Sequence, residues 1–149
     1  MATTAAEPIF IDTNVLVFAS LPLSSLYATA IAAIHEIDKQ GAPVWISRQI
    51  VREYLVQVTR PGVVPGGTQA AIAAEVARFS TMFHIADETD STTAALLDLV
   101  RTFGVSGKSI HDANIVATMQ THGIRRLLTH NVADFKRYSS LITVVPLQP

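Results

Sequence analysis

Four acidic residues are the first candidates for chemistry in this chain: Asp12, Glu53, Asp112 and Asp134. Carboxylates that converge repel one another, and burying them unpaired costs several kcal/mol each unless a cation lies between them. Hard oxygen ligands in this number suit Mg²⁺ or Mn²⁺ better than Zn²⁺. A metal held in this way lowers the pKa of a bound water and stabilises charge on a phosphate. The four acids together therefore indicate metal-dependent hydrolysis of a phosphodiester.

Each acid alone also has a purely structural interpretation. Asp12 follows an apolar run and could begin a turn through an Asx hydrogen bond. Glu53 could be an ordinary exposed helix residue, and the segment from Ser109 to Asp112 resembles a helix capping box. Asp134 could cap its own short helix. The functional interpretation therefore depends on the fold bringing all four to one place.

The elements that must position these acids alternate between strands and helices. The apolar runs predict strands at residues 8–11, 44–46, 82–86, 126–129 and 141–145. Helical patterns and caps predict helices over about 24–39, 48–60, 68–80, 92–103, 109–121 and 134–139, with a loop between Asp12 and Ser24. This alternation predicts a parallel sheet with helices on both faces. Because ligands bind at the carboxyl ends of parallel strands, the acids that follow the strands should share one edge.

Length and composition limit the possible classes. The 149 residues suit one domain, and 49% hydrophobic residues are enough for a full core. The chain has no cysteine, which excludes disulfide bonds. A net charge of −1 argues against a strongly basic protein that coats nucleic acid nonspecifically. The first residues lack a basic segment, and no apolar stretch approaches the roughly 18 residues of a membrane span. We therefore expect no membrane association and a cytoplasmic location.

Four segments of the chain contain the candidate acids: FIDTNVL at 10–16, SRQIVREY at 47–54 running into VTRP at 58–61, HDANIVAT at 111–118 and LTHNVADF at 128–135. They resemble the motifs of PIN-domain nucleases, and of VapC-like toxins in particular. Any one of these segments would be a weak signal, but together they span most of the chain in the family's order. The resemblance implies a single PIN domain over 1–149, a three-layer α/β/α fold with a central, mainly parallel sheet of four to five strands.

The resemblance also implies an Mg²⁺- or Mn²⁺-dependent ribonuclease. Position by position, the metal-binding and catalytic acids are Asp12, Glu53, Asp112 and Asp134. Supporting polar positions, which orient the carboxylates or a bound water, are Thr13, Asn14, Thr129 and Asn131. Many relatives have Asp where this chain has Asn131, so one negative charge is missing. That difference puts a tightly held second metal in doubt.

The same resemblance implies partners. These are an RNA substrate, a small antitoxin protein and a second copy of the chain in a homodimer. The alanines of residues 68–80 could support close approach in that dimer, or could pack internally. Arg48, Arg52 and Lys108 are candidate contacts for RNA phosphates, although solvated helix faces explain such residues equally well. Two alternatives stay open: an RNA-processing PIN nuclease outside a toxin–antitoxin pair, and a non-enzymatic nucleic-acid or protein binding module with exposed, separate carboxylates.

Overall fold

A five-stranded parallel sheet forms the centre of the chain in the computed structural model, which describes residues 4–149. The strands are β1 (Ile9–Ile11), β2 (Val44–Ser47), β3 (His84–Ala86), β4 (Arg126–Thr129) and β5 (Thr143–Pro146). They lie in the order β3-β2-β1-β4-β5, and every neighbouring pair is parallel. The predicted α/β fold with a mainly parallel sheet of four to five strands is confirmed.

Helices connect the strands and complete the three-layer α/β/α arrangement. They are α1 (Thr13–Ala19), α2 (Tyr27–Lys39), α3 (Arg48–Val58), α4 (Gln69–Ala77), α5 (Phe79–Met82), α6 (Asp90–Phe103), α7 (Ser109–Thr121) and α8 (Val132–Phe135), followed by a 3₁₀ turn (Lys136–Tyr138). Within residues 4–149, no helix combines the length and apolar character needed to cross a membrane.

The central strand β1 positions the first candidate acid. All three of its residues are fully buried, as expected of a strand covered on both faces. Ile11 pairs with Leu128 of β4, and the backbone N–H of Asp12 donates to the Leu128 carbonyl at 3.0 Å. Asp12 therefore leaves the sheet at its carboxyl edge, between β1 and β4.

The segment directly after Asp12 is a helix, so the predicted loop is wrong there. Residues 13–19 form α1, and the Asp12 carboxylate caps it by accepting from the Thr13 N–H at 2.8 Å. The sequence TNVLVFA contains Thr, Asn, two Val and Phe, which have only modest helix propensity. Tertiary packing supplies the missing stability, since Val15 and Leu16 are buried in the core.

Other boundaries also differ from prediction. The predicted helix over 68–80 is divided: α4 ends at Ala77, and α5 includes Met82, which was expected in a strand. Thr68 caps α4 through its hydroxyl, as the pattern indicated. The expected capping box at the start of α7 is absent from this described segment, because no side chain caps α7 and the residue before the helix is Lys108. α8 begins at Val132, two residues before the predicted start at Asp134.

The alanines of α4 lie on the surface. Ala70, Ala71, Ala73, Ala74 and Ala77 are all exposed, and α4 contributes no buried residue to the core. The interpretation that these alanines pack internally is therefore wrong. Only Ile72 and Val76 of α4 pack partly against the core.

Candidate active site at the carboxyl edge of the sheet

A cavity of about 450 Å³ opens at the carboxyl edge of the sheet. Its lining residues come from α1, α3 and α7 and from two helix-capping positions, Asp12 after β1 and Asn131 after β4. They are Asp12, Thr13, Asn14, Val17, Phe18, Glu53, Val56, Gln57, Asp112 and Asn131. Three of the four predicted acids thus share one cavity, together with three of the four predicted supporting residues.

Asp12 is buried and accepts hydrogen bonds from neutral groups. Its Oδ1 accepts from the Thr13 N–H, and its Oδ2 accepts from Thr129 Oγ1 at 2.7 Å and Asn14 Nδ2 at 3.0 Å. Burial raises the pKa of Asp12 above its usual range, and the nearby charge of Glu53 raises it further, while the hydrogen bonds oppose that shift. Asp12 also has a structural role, but it caps a helix, α1, where an Asx turn was considered.

Glu53 is half-buried and held at both carboxylate oxygens. Thr13 Oγ1 donates to Oε2 at 2.6 Å, and Gln49 Nε2 donates to Oε1 at 2.6 Å. The interpretation of Glu53 as an ordinary exposed helix residue is therefore wrong. Both donors are uncharged, so they orient the carboxylate without neutralising its negative charge.

Asp112 lies in the first turn of α7 and is half-buried. Burial raises its pKa to about 6, and the charges of Asp12, Asp134 and Glu53 contribute to the rise, in that order. The capping-box interpretation of this residue is wrong, because no side-chain cap forms at the start of α7. The other three acids thus each act on Asp112 through their charge.

Asp134 and Asn131 occupy the rim of the site. Asp134 is exposed in the first turn of α8, outside the cavity lining, and acts on Asp112 through its charge. Its predicted role as a cap is wrong: Asn131 occupies the capping position of α8, and no side chain caps that helix. The N–H of Asn131 donates to Thr129 Oγ1 at 3.0 Å, which links the rim to the group that orients Asp12.

The candidate RNA-binding residues lie outside the cavity. Arg48 forms an ion pair with Asp87 at 3.0 Å, and Arg52 and Lys108 are exposed. Across residues 4–149, each ion pair joins an arginine to an acid other than the four at the site. The clustered carboxylates are thus not neutralised by a neighbouring arginine or lysine in that part of the chain.

The chemistry of the donor groups fits a hard divalent cation. Carboxylate oxygens, supplemented by the Asn131 amide at the rim, are the ligands that Mg²⁺ and Mn²⁺ prefer. Within residues 4–149, no three His, Cys, Asp or Glu side chains form a ready-made ligand set. Asp12, Glu53 and Asp112 nevertheless line one cavity, where a cation would complete their arrangement as ligands.

The sequence interpretation missed two residues of the site. Gln49 is only 4% exposed and donates to Glu53, and Asn114 of α7 donates to Gln49 Oε1 at 2.7 Å. One signal was available in the sequence, because Gln49 precedes Glu53 by four residues and so lies on the same helix face. Nothing in the sequence pairs Asn114 with Gln49, since 65 residues separate them.

Comparison with known proteins identifies the family and supports the fold. The PIN domain family pattern matches residues 9–141. Comparison with curated proteins gave no significant match. The VapBC2 structure from Rickettsia felis, bound to a promoter DNA fragment, matches with a TM-score of 0.70 and 18% identity over 94% of this chain and 98% of that one. A toxin–antitoxin complex from Klebsiella pneumoniae gives a TM-score of 0.66 and 22% identity over 94% and 98% of the two chains.

A third structure has somewhat higher sequence identity. VapC20 of Mycobacterium tuberculosis, a toxin that cleaves the sarcin–ricin loop, has a TM-score of 0.58 and 25% identity, over 80% of this chain and 86% of that chain. The similarity to these structures supports the fold, and the family pattern covers most of the chain, including all four acids. The chain belongs to the PIN domain family.

Proposed function

We propose that this protein is a metal-dependent endoribonuclease that hydrolyses RNA phosphodiester bonds. The observation that supports this most directly is the set of three carboxylates around one cavity. Neutral donors orient two of them, Asp12 and Glu53, and none of the three has a basic partner in residues 4–149. Without a cation, burying these unpaired carboxylates costs free energy. With a bound cation, the same carboxylates can support metal-ion catalysis. The sarcin–ricin loop that VapC20 cleaves supports RNA as the substrate class.

The residues of the chain have distinct tasks in this proposal. Asp12, Glu53 and Asp112 would hold the cation, with Asp134 at the rim. When bound, Mg²⁺ or Mn²⁺ supplies a water of lowered pKa and stabilises the developing charge on the phosphate. Thr129 donates to the Asp12 carboxylate and keeps it oriented before any ligand arrives.

The polar residues around these acids complete the site. Asn14 connects the first motif to the last by hydrogen bonds. Its Nδ2 donates to Asp12, and its Oδ1 accepts from the His130 N–H at 3.0 Å. Asn131 offers a neutral oxygen where an acid would add a charge, which favours one tightly held metal over two. The exposed Arg52 and Lys108 could contact RNA phosphates beyond the cavity.

The decisive experiment is cleavage of a structured RNA by the purified protein. We expect cleavage with Mn²⁺ or Mg²⁺, none in EDTA, and none by an Asp12→Asn variant that remains folded by circular dichroism. Full activity in EDTA, or in the folded variant, would contradict the metal mechanism. A protein that binds RNA without cutting it under any metal would favour the alternative of a non-enzymatic binding module.

We further propose that the protein is the toxin of a toxin–antitoxin pair, with a small antitoxin as its partner. The structural similarity to toxin–antitoxin complexes supports this, and so does the cavity. An Arg or Lys from an antitoxin tail could replace the metal among the carboxylates, and a guanidinium would do so with bidentate geometry. Beside the acids, Val17, Phe18 and Val56 form an apolar wall suited to the tail's apolar side chains.

Co-expression with the adjacent gene tests the antitoxin proposal. The neighbouring product should co-purify and suppress RNA cleavage. A matched titration with a peptide of its tail, with and without the Arg or Lys, should show that the basic residue is needed for inhibition. A free-standing gene, or a partner that binds without inhibiting, would favour an RNA-processing PIN nuclease outside a toxin–antitoxin pair.

We also propose that the protein forms a homodimer through the exposed alanines of α4. Small side chains allow two helix backbones to approach closely, and these five alanines have no buried role within the chain. Sedimentation at micromolar concentration should give about twice the 16.1 kDa chain mass. An Ala74→Glu variant should shift it toward the monomer. A parent that remains a monomer would contradict the proposal.

A further inference from the structure

Gln49 connects the second and third motifs through three hydrogen bonds. It lies in the first turn of α3 and is almost fully buried. Its Nε2 donates to Glu53 Oε1 at 2.6 Å and to the His111 carbonyl at 2.9 Å. His111 directly precedes Asp112 in α7, so one amide group holds a candidate metal-binding carboxylate and the backbone beside the next one.

The orientation of the Gln49 amide is determined by its surroundings. An NH₂ group has two hydrogens, and both face acceptors here. A reversed amide would point its oxygen at the Glu53 carboxylate and the His111 carbonyl, which would repel it. Asn114 favours the same orientation, because its Nδ2 donates to Gln49 Oε1 at 2.7 Å.

The Asn114 amide is fixed by the same logic. Its Nδ2 donates to Gln49 Oε1 and, at 3.2 Å, to Glu88 Oε1 on the other side. Both hydrogens of this amide therefore face acceptors, so its orientation is also set. The result is a directed chain of hydrogen bonds in which Asn114 orients Gln49 and Gln49 orients Glu53.

We propose that Gln49 and Asn114 are a positioning pair that holds Glu53 at a set distance from Asp112, in readiness for a divalent cation. This inference rests on the proposed metal site and assigns new residues to it. Glu53 and Asp112 line the same cavity, so their like charges repel each other. A hydrogen-bonded amide between their two helices opposes that repulsion without adding a positive charge that would compete with the metal.

Direct Mn²⁺ binding, measured by isothermal titration calorimetry, tests this role without relying on activity. Outer residues that orient metal ligands typically change affinity about 10- to 100-fold, so we expect a loss of this size for Gln49→Met. Asn114→Ala should weaken binding less, because Gln49 remains. The double variant should bind as Gln49→Met does, because Asn114 acts only through Gln49.

The chain offers a control in Gln40 at the C-cap of α2, whose exposed Nε2 donates to Glu36 Oε1 at 3.0 Å, four residues earlier in the sequence. Gln40→Met removes an equivalent bond away from the site and should leave Mn²⁺ affinity unchanged. Thermal melting in EDTA identifies the variants that fold. A purely structural Gln49 would lower the melting temperature without altering the affinity of the folded protein.

The outcomes separate the two proposals. Parent protein that binds no Mn²⁺ would overturn the metal-dependent function and this inference with it. Parent that binds, with Gln49→Met binding equally well, would overturn only the positioning role. Additive losses in the double variant would also overturn the pair, since they would mean that Asn114 acts independently. If Gln49→Met does not fold, unchanged affinity in folded Asn114→Ala overturns the proposal.

Discussion

Two sets of carboxylates in this protein have opposite surroundings. At the periphery, Asp98 has a side chain 75% exposed and pairs with Arg101 at 2.6 Å, and Glu75 and Asp87 also pair with arginines. At the site, Asp12 is buried and Glu53 is half-buried, and both accept only from hydroxyl and amide groups among their hydrogen bonds in residues 4–149.

The difference shows how a protein can prepare a site for a cation. An arginine partner neutralises a carboxylate, so little negative charge remains to attract a cation. Neutral donors fix its orientation while its charge remains, at a cost visible in the raised pKa values of Asp12 and Asp112. In the proposed function, a divalent cation would recover that cost by binding to the folded state.

The largest expected effect comes from exchanging one acid in each set for its amide. Asp12→Asn should lower kcat by about 1000-fold, because several kcal/mol of transition-state stabilisation depend on the bound metal. Asp98→Asn should leave kcat unchanged, since its carboxylate is exposed and remote from the cavity. Both are measured on the same structured RNA at saturating Mn²⁺. Equal activity in the two folded variants would remove the distinction between the sets.

Metal-dependent stability should be the next largest effect. A ligand at 100 times its dissociation constant stabilises the folded state by about 2.7 kcal/mol. For a domain of this size, that corresponds to a rise in melting temperature of about 5–10 °C. Differential scanning fluorimetry with Mg²⁺ or Mn²⁺ should show the full rise for Asp98→Asn and a much smaller one for Asp12→Asn. A similar rise in both would mean that the metal binds elsewhere.

The pH dependence of the free energy of unfolding should differ between the site acids and the peripheral acids by about 1 kcal/mol. The pKa of Asp112 is about 6 in the folded protein against an ordinary value of 3.8, so the folded state binds this proton more tightly. Ionisation of Asp112 therefore destabilises the fold as pH rises from about 4 through 6, and the penalty is complete above pH 6. Solvent screening at this half-buried group limits the penalty to about 1 kcal/mol.

Asp112→Asn removes that penalty. In EDTA, the variant should be more stable than the parent at pH 7.5, and the difference should disappear near pH 4. Urea unfolding at both pH values measures it, and Asp98→Asn serves as the control with no such gain. A variant less stable than the parent at pH 7.5 would show that Asp112 makes a favourable contact when ionised.

The sequence predicted those parts of the molecule that depend on strong local signals. Every predicted strand is present because short apolar runs between turns have few other solutions in an α/β chain. The shared cavity of Asp12, Glu53 and Asp112 could be predicted because strand ends share one edge of a parallel sheet, whereas Asp134 lies outside the cavity lining. α1 could not be predicted, since its propensity is weak and its stability comes from packing and from the Asp12 cap.

The orientation of the acids could not be predicted either. The hydrogen bonds of the Gln49 side chain depend on the distance between α3 and α7, which is set by tertiary packing. The missing capping box at Ser109 has the same kind of cause. Its motif is present in the sequence, but no side chain caps α7. Asp112 instead lies near the other acids, whose charges raise its pKa.

The smallest expected effect concerns the peripheral pair of Asp98 and Arg101. The side chains are 75% and 69% exposed, so water and salt screen their attraction despite the 2.6 Å distance. Arg101→Ala should change the free energy of unfolding by less than about 0.5 kcal/mol, with no effect on Mn²⁺ binding. Urea unfolding at low and high salt measures both the size and the screening of the contribution. A loss above 1 kcal/mol that persists in high salt would mean that the Arg101 stem packs on the α6 surface, and the peripheral set would then contribute more than charge pairing alone.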